Sequence, residues 1–307
     1  MKTLAVGSAM IDTIAIISSD RIERMIRSAT GAFSLWRVAL AAAIVALAGG
    51  SLAGCGEKAE LQPVAAAPGE ELPEIDALLI SEEIIIESDG WTLHGTFSRP
   101  PNEGAKPAAL LLHRAAGNRD EYEALAGALA TRGVSSLALD LRGHGESVNL
   151  GRFEPPYADN LHINEGAYKD VIAALEWIAS RPDVDAKQLA VVGASYSGEA
   201  AGRAMREGAR PATAYVMLSP GNFSDDSIGA IEGSGAKWLF VRTVEESPAA
   251  LEHIDALFDV LAANAPGAER LVLDGAGHAT HIFDGRPEFV EDLAQWIATA
   301  LTSDDPR

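Results

Sequence analysis

The sequence predicts an α/β fold in which a mostly parallel sheet is covered by helices on both faces, and two patterns carry that expectation. Short, nearly continuous runs of Val, Leu, Ile and Ala recur through the second two thirds of the chain, as in strands buried on both faces. Stretches of helical length and period separate them, so strand and helix alternate as parallel crossover units require.

The first element departs from that rhythm. Ile84-Ile85-Ile86, the Asp89-Gly90 pair and the run Trp91 to Phe97 read as a hairpin, because Asp-Gly tolerates the positive φ of a tight turn. Then come a strand at Ala108 to Leu112, a helix around Asp120 to Thr131, a strand at Ser136 to Leu139 and, after a long loop, a helix around Glu165 to Ala179. Leu189 to Val192 leads into a helix from Ser197 to about Glu207, and Ala214 to Leu218 stands alone. Trp238 to Val241 precedes a helix of about Pro248 to Ala263, and Arg270 to Leu273 precedes one of about Pro287 to Leu301. No internal repeat is visible, and the pattern favours one catalytic domain over residues 77–307.

Composition excludes some functions. A formal net charge of −20 across 307 residues, with no Lys/Arg run, opposes binding to nucleic acid, which needs a basic footprint. With one cysteine, Cys55, an intramolecular disulfide and a cysteine-based metal cluster are both excluded.

The N-terminal quarter reads as an export segment. Arg27 and Arg37 precede the uncharged apolar run Val38 to Leu52, the charge-then-apolar layout of a secretory signal. The run ends in Leu52-Ala53-Gly54-Cys55. This resembles the bacterial lipoprotein box, and the resemblance implies cleavage before Cys55, acyl chains on the new N-terminal cysteine, and anchoring outside the cytoplasm, on the periplasmic side of a bacterial membrane. Residues 1–54 are then the signal region, with Met25 as a start that would give an n-region of ordinary length. A plain transmembrane anchor is the competing reading, although the run is short for a span. Cleavage would remove five basic and three acidic residues, leaving nineteen against forty-one and a net charge near −22. Residues 55–76, rich in Ala, Pro and Glu, read as a flexible tether.

Three segments carry the chemistry. Gly193-Ala194-Ser195-Tyr196-Ser197-Gly198 lies between a buried strand and a helix, the setting of a nucleophile elbow, with Ser195 as nucleophile and Ser197 where a second glycine is usual. His278 follows the last strand in Gly275-Ala276-Gly277-His278, where a glycine-flanked loop at a strand's C-terminal end can reach a neighbouring strand's nucleophile. It is the expected general base; His281 is expected to line the site or cap the next helix, and His144, His94, His162 and His253 to be structural. The acid should follow the strand Trp238 to Val241, since the order is Ser, acid, His. In Arg242-Thr243-Val244-Glu245-Glu246-Ser247-Pro248, Ser247 can cap a helix beginning with Pro248. That leaves Glu246 as first candidate and Glu245 as second.

The oxyanion hole needs two preset backbone donors. Tyr196 supplies one by position. The other is expected from Ala115 in His113-Arg114-Ala115-Ala116-Gly117-Asn118. Arg114 beside it is open to two readings, a ligand for a substrate carboxylate or an exposed side chain.

Taken in order, HRAAGNRDEY, LDLRGHGES, GASYSG, TVEESP and GAGH resemble the α/β-hydrolase superfamily from about Ile84 onward. Among its branches the chain looks like the small dienelactone-hydrolase-like esterases, because the connection from Leu218 to about Lys237 leaves no room for a large lid. The loop 149–164 is expected to form one wall of an open cleft. The resemblance implies a serine hydrolase acting on an ester or related acyl bond of a small molecule, without metal or organic cofactor. A serine peptidase or acyltransferase, or a non-catalytic binding lipoprotein on the same scaffold, are the alternatives; the sequence does not fix an oligomeric state.

Overall fold

The computed structural model describes residues 79–302 except 222, 247, 266 and 276. The signal region, Cys55, the tether of residues 55–76 and the capping Ser247 therefore lie outside the described residues. Among the described residues, no helix is long and apolar enough to cross a membrane.

Eight strands form one sheet: β1 (Ile80–Ser88), β2 (Trp91–Arg99), β3 (Lys106–Leu112), β4 (Ser135–Leu139), β5 (Val184–Ala194), β6 (Ala214–Leu218), β7 (Lys237–Thr243) and β8 (Glu269–Leu273). Their order is β1-β2-β4-β3-β5-β6-β7-β8. β1 pairs antiparallel with β2, and β2 with β4, while β4 through β8 run parallel. The Asp89-Gly90 turn adopts φ of 52° and 83°, so the hairpin forms where the turn pair predicts. It begins four residues before Ile84, because Ile80 to Glu83 continue the ladder against Thr96 to Arg99.

The main helices are α1 (Glu123–Ala130), α2 (Ala167–Ala179), α3 (Tyr196–Arg206), α4 (Asp225–Glu232), α5 (Pro248–Asn264) and α6 (Glu288–Thr302). The helix expected around Glu165 to Ala179 is α2, beginning at Ala167, and a separate short turn of helix, Leu161–Glu165, precedes it and ends at Gly166. Between β6 and β7, α4 is the helix that fills the connection.

Alternation along the strands sorts the core into two layers. Leu110, Leu112, Leu137, Val191, Met217 and Phe240 point to the side covered by α2, α3, α4 and α5. Their neighbours Ala109, Leu111, Ala138, Val192, Val216 and Val241 point to the side where Leu125 and Leu129 of α1 and Leu293 and Ile297 of α6 pack. Side chains on a strand alternate faces with period two, so a continuous apolar run feeds both layers.

This topology fixes where a ligand can sit. The chain goes from β3 to β4 on one side and resumes with β5 on the other. The connections therefore diverge at the C-terminal ends of β3 and β5 and open a crevice there.

A buried ion pair holds the loop after β4. Arg142 is bound by Asp170 of α2 through its Nε and Nη2 groups, at 2.7 to 3.0 Å, and the Arg142 backbone N–H donates to the same carboxylate at 2.9 Å. Both side chains are buried. Removing Asp170 leaves the buried Arg142 with only the half-exposed Asp89, 3.5 Å away, as a carboxylate partner, so most of its buried charge goes uncompensated. Asp170→Ala should lower stability by about 3–5 kcal/mol, read as a fall in the urea midpoint; a change below about 1 kcal/mol would show that the pair is dispensable.

Candidate active site

Ser195 sits between β5 and α3 with φ 54° and ψ −119°, a left-handed backbone that disfavours any residue with a Cβ. Three backbone hydrogen bonds hold it. Its N–H donates to Leu218 O at 2.9 Å, and its carbonyl accepts from Gly198 N and Gly221 N, each at 3.2 Å. The turn is tight enough that a Cβ on Gly193 would stand 3.0 Å from the Gly198 backbone.

Ser197 stands where a glycine is usual, and its hydroxyl is used. It accepts from Ala194 N–H at 2.7 Å, and the Leu112 and Ala194 carbonyls are both within 2.9 Å to receive its hydrogen. The side chain is fully buried and ties the end of β3 to the elbow. The sequence marks Ser197 only as the residue where a second glycine is usual; the demand for a partner by any buried hydroxyl was the signal available.

Three side chains from three strand ends form a hydrogen-bonded chain. His278 Nε2 lies 3.0 Å from Ser195 Oγ, and His278 Nδ1 lies 2.8 Å from Glu246 Oε2. A carboxylate can only accept, so Nδ1 carries the hydrogen and Nε2 of the neutral ring accepts from the serine hydroxyl. The Glu246 side chain is 5% exposed and the imidazole 42%. Burial raises the Glu246 pKa, but the hydrogen bond from His278, the Ser219 hydroxyl and the positive charge of Arg242 outweigh it and hold the carboxyl below the usual glutamate range. Glu245 goes elsewhere: its carboxylate accepts the Gly275 N–H at the root of the histidine loop. The two glutamates therefore divide, one reaching the imidazole and the other the loop that carries it.

The loop after β3 closes through Gly117 N–H to Arg114 O at 3.0 Å, with Ala116 at φ 58° and Ala115 at the turn. Tyr196 N–H is the first amide of α3, where no intrahelical acceptor exists. Both residues thus lie in the segments that follow β3 and β5. Arg114 is neither exposed nor free. Its Nη2 pairs with Glu121 at 2.9 Å, and the other Glu121 oxygen accepts from Thr280 Oγ1 at 2.8 Å, joining the β3 loop to the segment after His278. Glu121 and Thr280 carry no sequence signal, because their meeting depends on how two distant loops fold.

The remaining histidines have other tasks. His281 is half exposed, with Nδ1 3.6 Å from Asp284, and precedes the short helix Ile282–Gly285. His144 is buried, near Arg142 O through Nδ1 at 3.0 Å, and stacks between Tyr196 and Phe153 at 5.6 and 5.1 Å. Tyr157 stacks on Phe153 at 5.0 Å, so rings connect the loop 149–164 to the residue after Ser195. His113 accepts from Leu141 N–H at Nε2 (3.1 Å), which leaves Nδ1 to donate to Arg114 O at 2.7 Å. Complete burial, with smaller effects of His144 and Arg114, pushes its pKa down to about 3.

Known proteins resemble this chain in part. A family model described as serine aminopeptidase, S33 matches residues 104–249, which include Ser195 and Glu246 and stop before His278. Uncharacterized proteins of two Mycobacterium tuberculosis strains, CDC 1551 / Oshkosh and H37Rv, are each 31% identical over 188 residues, 60% of this chain and 58% of theirs. The uncharacterized protein YfhR of Salmonella typhi is 29% identical over 109 residues, 36% of this chain and 33% of its own. The chain thus spans less than two thirds of the length of these curated relatives. Among solved structures, a dienelactone hydrolase from Anabaena variabilis aligns with 19% identity and a TM-score of 0.54 over 72% of this chain and 96% of that one. A dienelactone hydrolase-like promiscuous phosphotriesterase from metagenomic libraries aligns with 20% identity and a TM-score of 0.57 over 73% and 96%. Est1E of Butyrivibrio proteoclasticus, solved with ferulic acid, aligns with 16% identity and a TM-score of 0.58 over 71% and 98%. At these identities the likeness is one of fold.

His113 has a measurable consequence. Its folded pKa lies below the ordinary 6.5, so the unfolded chain takes up the proton first as pH falls; the stabilisation is complete above 6.5 and is lost as pH drops toward 3. The urea midpoint should fall between about pH 7 and about pH 5 in the wild type and fall less in His113→Gln. Equal slopes in the two proteins would contradict the neutral buried ring.

Proposed function

We propose, from the premise that this chain is a member of the α/β-hydrolase superfamily, that it is a serine hydrolase cleaving an ester or related acyl bond of a small molecule. The observation that carries the reading is the chain Ser195–His278–Glu246, at 3.0 and 2.8 Å, beside the crevice where the strand order reverses.

His278 Nε2 takes the Ser195 proton as Oγ bonds to the acyl carbon. Glu246, ionised and buried, stabilises the imidazolium that forms. The Tyr196 and Ala115 amides face the oxygen on which negative charge develops. The imidazolium returns its proton to the leaving alkoxide, the C–O bond breaks, and an alcohol departs. Water then attacks the acyl-enzyme with its proton going to His278, and the acid leaves as Ser195 is restored. The short β6 to β7 connection, occupied by α4, leaves the crevice without a large cover on that side, which suits small soluble acyl groups. Arg114, held by Glu121, orders the β3 loop in this reading and does not act as a free anion site.

The serine aminopeptidase description of the matching family model favours a second reading, in which the leaving group is an amine. The same triad serves both, and comparing p-nitrophenyl esters with aminoacyl p-nitroanilides separates them.

Export and anchoring belong to the proposal too. Lipidation at Cys55 would hold the acidic domain beside a membrane through the tether of residues 55–76.

Ser195→Ala should abolish fluorophosphonate labelling and p-nitrophenyl acetate hydrolysis with an unchanged melting midpoint; wild-type turnover in that variant would sink the assignment. Glu246→Gln should lower kcat by about a thousandfold or more and Glu245→Gln by less than about tenfold. The reverse ranking would reassign the acid. Cys55→Ala should move the protein from the membrane to the soluble fraction of expressing bacteria, whereas continued membrane association would favour an uncleaved apolar span.

A further inference from the structure

Thr280 stands two residues after His278 and is almost wholly buried. Its hydroxyl donates to Glu121 Oε2 at 2.8 Å. The other Glu121 oxygen takes Arg114 Nη2 at 2.9 Å, and Arg114 Nη1 donates to Ala115 O at 3.2 Å. A continuous relay of polar contacts therefore runs from the segment that carries the imidazole to the residue expected to supply the second oxyanion amide. The guanidinium presents its two Nη groups in a rigid planar fork, so the place of the carboxylate is passed on to the carbonyl.

Both ends of the relay and its centre are anchored. Glu121 lies in the single helical turn Arg119–Tyr122, which Asn118 caps. On one side of it the Arg119 N–H and guanidinium bind the buried Asp140. On the other, the buried Tyr122 hydroxyl donates to Leu112 O, at the end of β3, at 2.8 Å. The carboxylate itself lies against Gly117, where a Cβ would stand 2.5 Å from Glu121 Oε1, so the turn that holds Ala115 is packed on Glu121 as well as bonded to it. At the far end Ala279, between His278 and Thr280, has φ 54°, and its N–H is held by Ser219 Oγ at 3.0 Å. Ser219 in turn donates its own N–H to Val241 O of β7 at 2.7 Å.

We infer that Glu121 is a positioning residue that sets the oxyanion loop against the imidazole segment, acting through Arg114 on one side and Thr280 on the other. The inference rests on the serine-hydrolase reading. In that reaction His278 receives the Ser195 proton while the amide of the β3 loop meets the oxygen that becomes negative, and a misplacement of about 1 Å in either costs on the order of a hundredfold in rate. Each contact of the relay involves a formally charged side chain, which makes it stronger than a bond between neutral groups. The two contacts of Glu121 lie in series. One break therefore releases the loops from each other and a second adds little, whereas contacts that act independently multiply their effects.

Kinetics of the full-length protein on p-nitrophenyl acetate test the relay. Values of kcat and KM, corrected for the folded fraction, are compared in wild type, Arg114→Ala, Thr280→Val, the double variant Arg114→Ala/Thr280→Val, and Thr280→Ser. Each single removal should lower kcat about tenfold with KM nearly unchanged, and the double variant should fall about as far as the slower single. Thr280→Ser keeps the hydroxyl and should recover most of the rate lost in Thr280→Val. Glu121→Gln keeps the shape of the side chain and replaces the double variant should that one fail to fold: it should also lose about tenfold in kcat, and wild-type kcat in it overturns the inference. Losses that multiply to about a hundredfold in the double variant would overturn it as well. So would wild-type kcat per folded molecule in both singles, which marks contacts that serve stability alone, or a Thr280→Ser variant as slow as Thr280→Val. A raised KM with unchanged kcat in Arg114→Ala would mark the arginine as a substrate ligand and equally sink the relay. A wild type that neither hydrolyses the ester nor labels with a fluorophosphonate would instead overturn the serine-hydrolase reading on which the inference stands.

Discussion

Gly193 and Gly198 meet where β5 turns into α3, so close that one added Cβ would stand 3.0 Å from the facing backbone. That crossing forces Ser195 into a left-handed conformation and exposes Oγ at the end of the strand, beside the imidazole. The conformation is unfavourable taken alone and survives because the Ser195 N–H and carbonyl are each held by neighbouring segments. The Ser195 N–H is bound by the last carbonyl of β6 and its carbonyl by Gly198 and Gly221, so the nucleophile's position is decided by the strand beside it as much as by its own. A looser crossing would let the serine relax and swing away from His278.

The same economy of contacts runs through the rest of the site. Each loop that supplies a functional group is bonded to another loop that supplies one. Ser197 ties the elbow to the end of β3, Glu245 holds the root of the histidine loop, and Glu121 links the β3 loop through Arg114 to Thr280. Charge placement follows burial. Glu246 is nearly out of solvent yet kept ionised by the imidazole it faces, while His113 is neutral because complete burial disfavours its charged form. Neither state could be assigned from residue type, since each depends on local solvation and on which neighbours stand within a few ångströms.

How far the sequence foretold this varies by element. The parallel strands were legible because each is a short apolar run buried on both faces, a pattern intrinsic to the strand. The Asp89-Gly90 hairpin was legible because its turn chemistry is local. The short helix Leu161–Glu165 was not, since it lies in a stretch rich in Pro and Asn that reads as a loop. Ser195 and His278 stood out through their small-residue flanks at strand ends. Ser219 had no such mark: a serine before a proline after an isolated strand looks like any turn, and its contacts come from β7 and from a loop sixty residues on.

By itself, then, the amino-acid sequence determined the periodicities, hence the α/β class, and the order in which a nucleophile, an acid and a histidine leave the strand ends. Those features depend on spacing along the chain. Tertiary structure alone decided which of two adjacent glutamates faces the imidazole, that Glu121 reaches Thr280, and that Ser197 and Ser219 each reach across to another strand end. Such choices are made by hydrogen bonds whose partners lie far apart in sequence and meet only when the sheet closes. An open chain, with every polar group satisfied by water, holds no record of them.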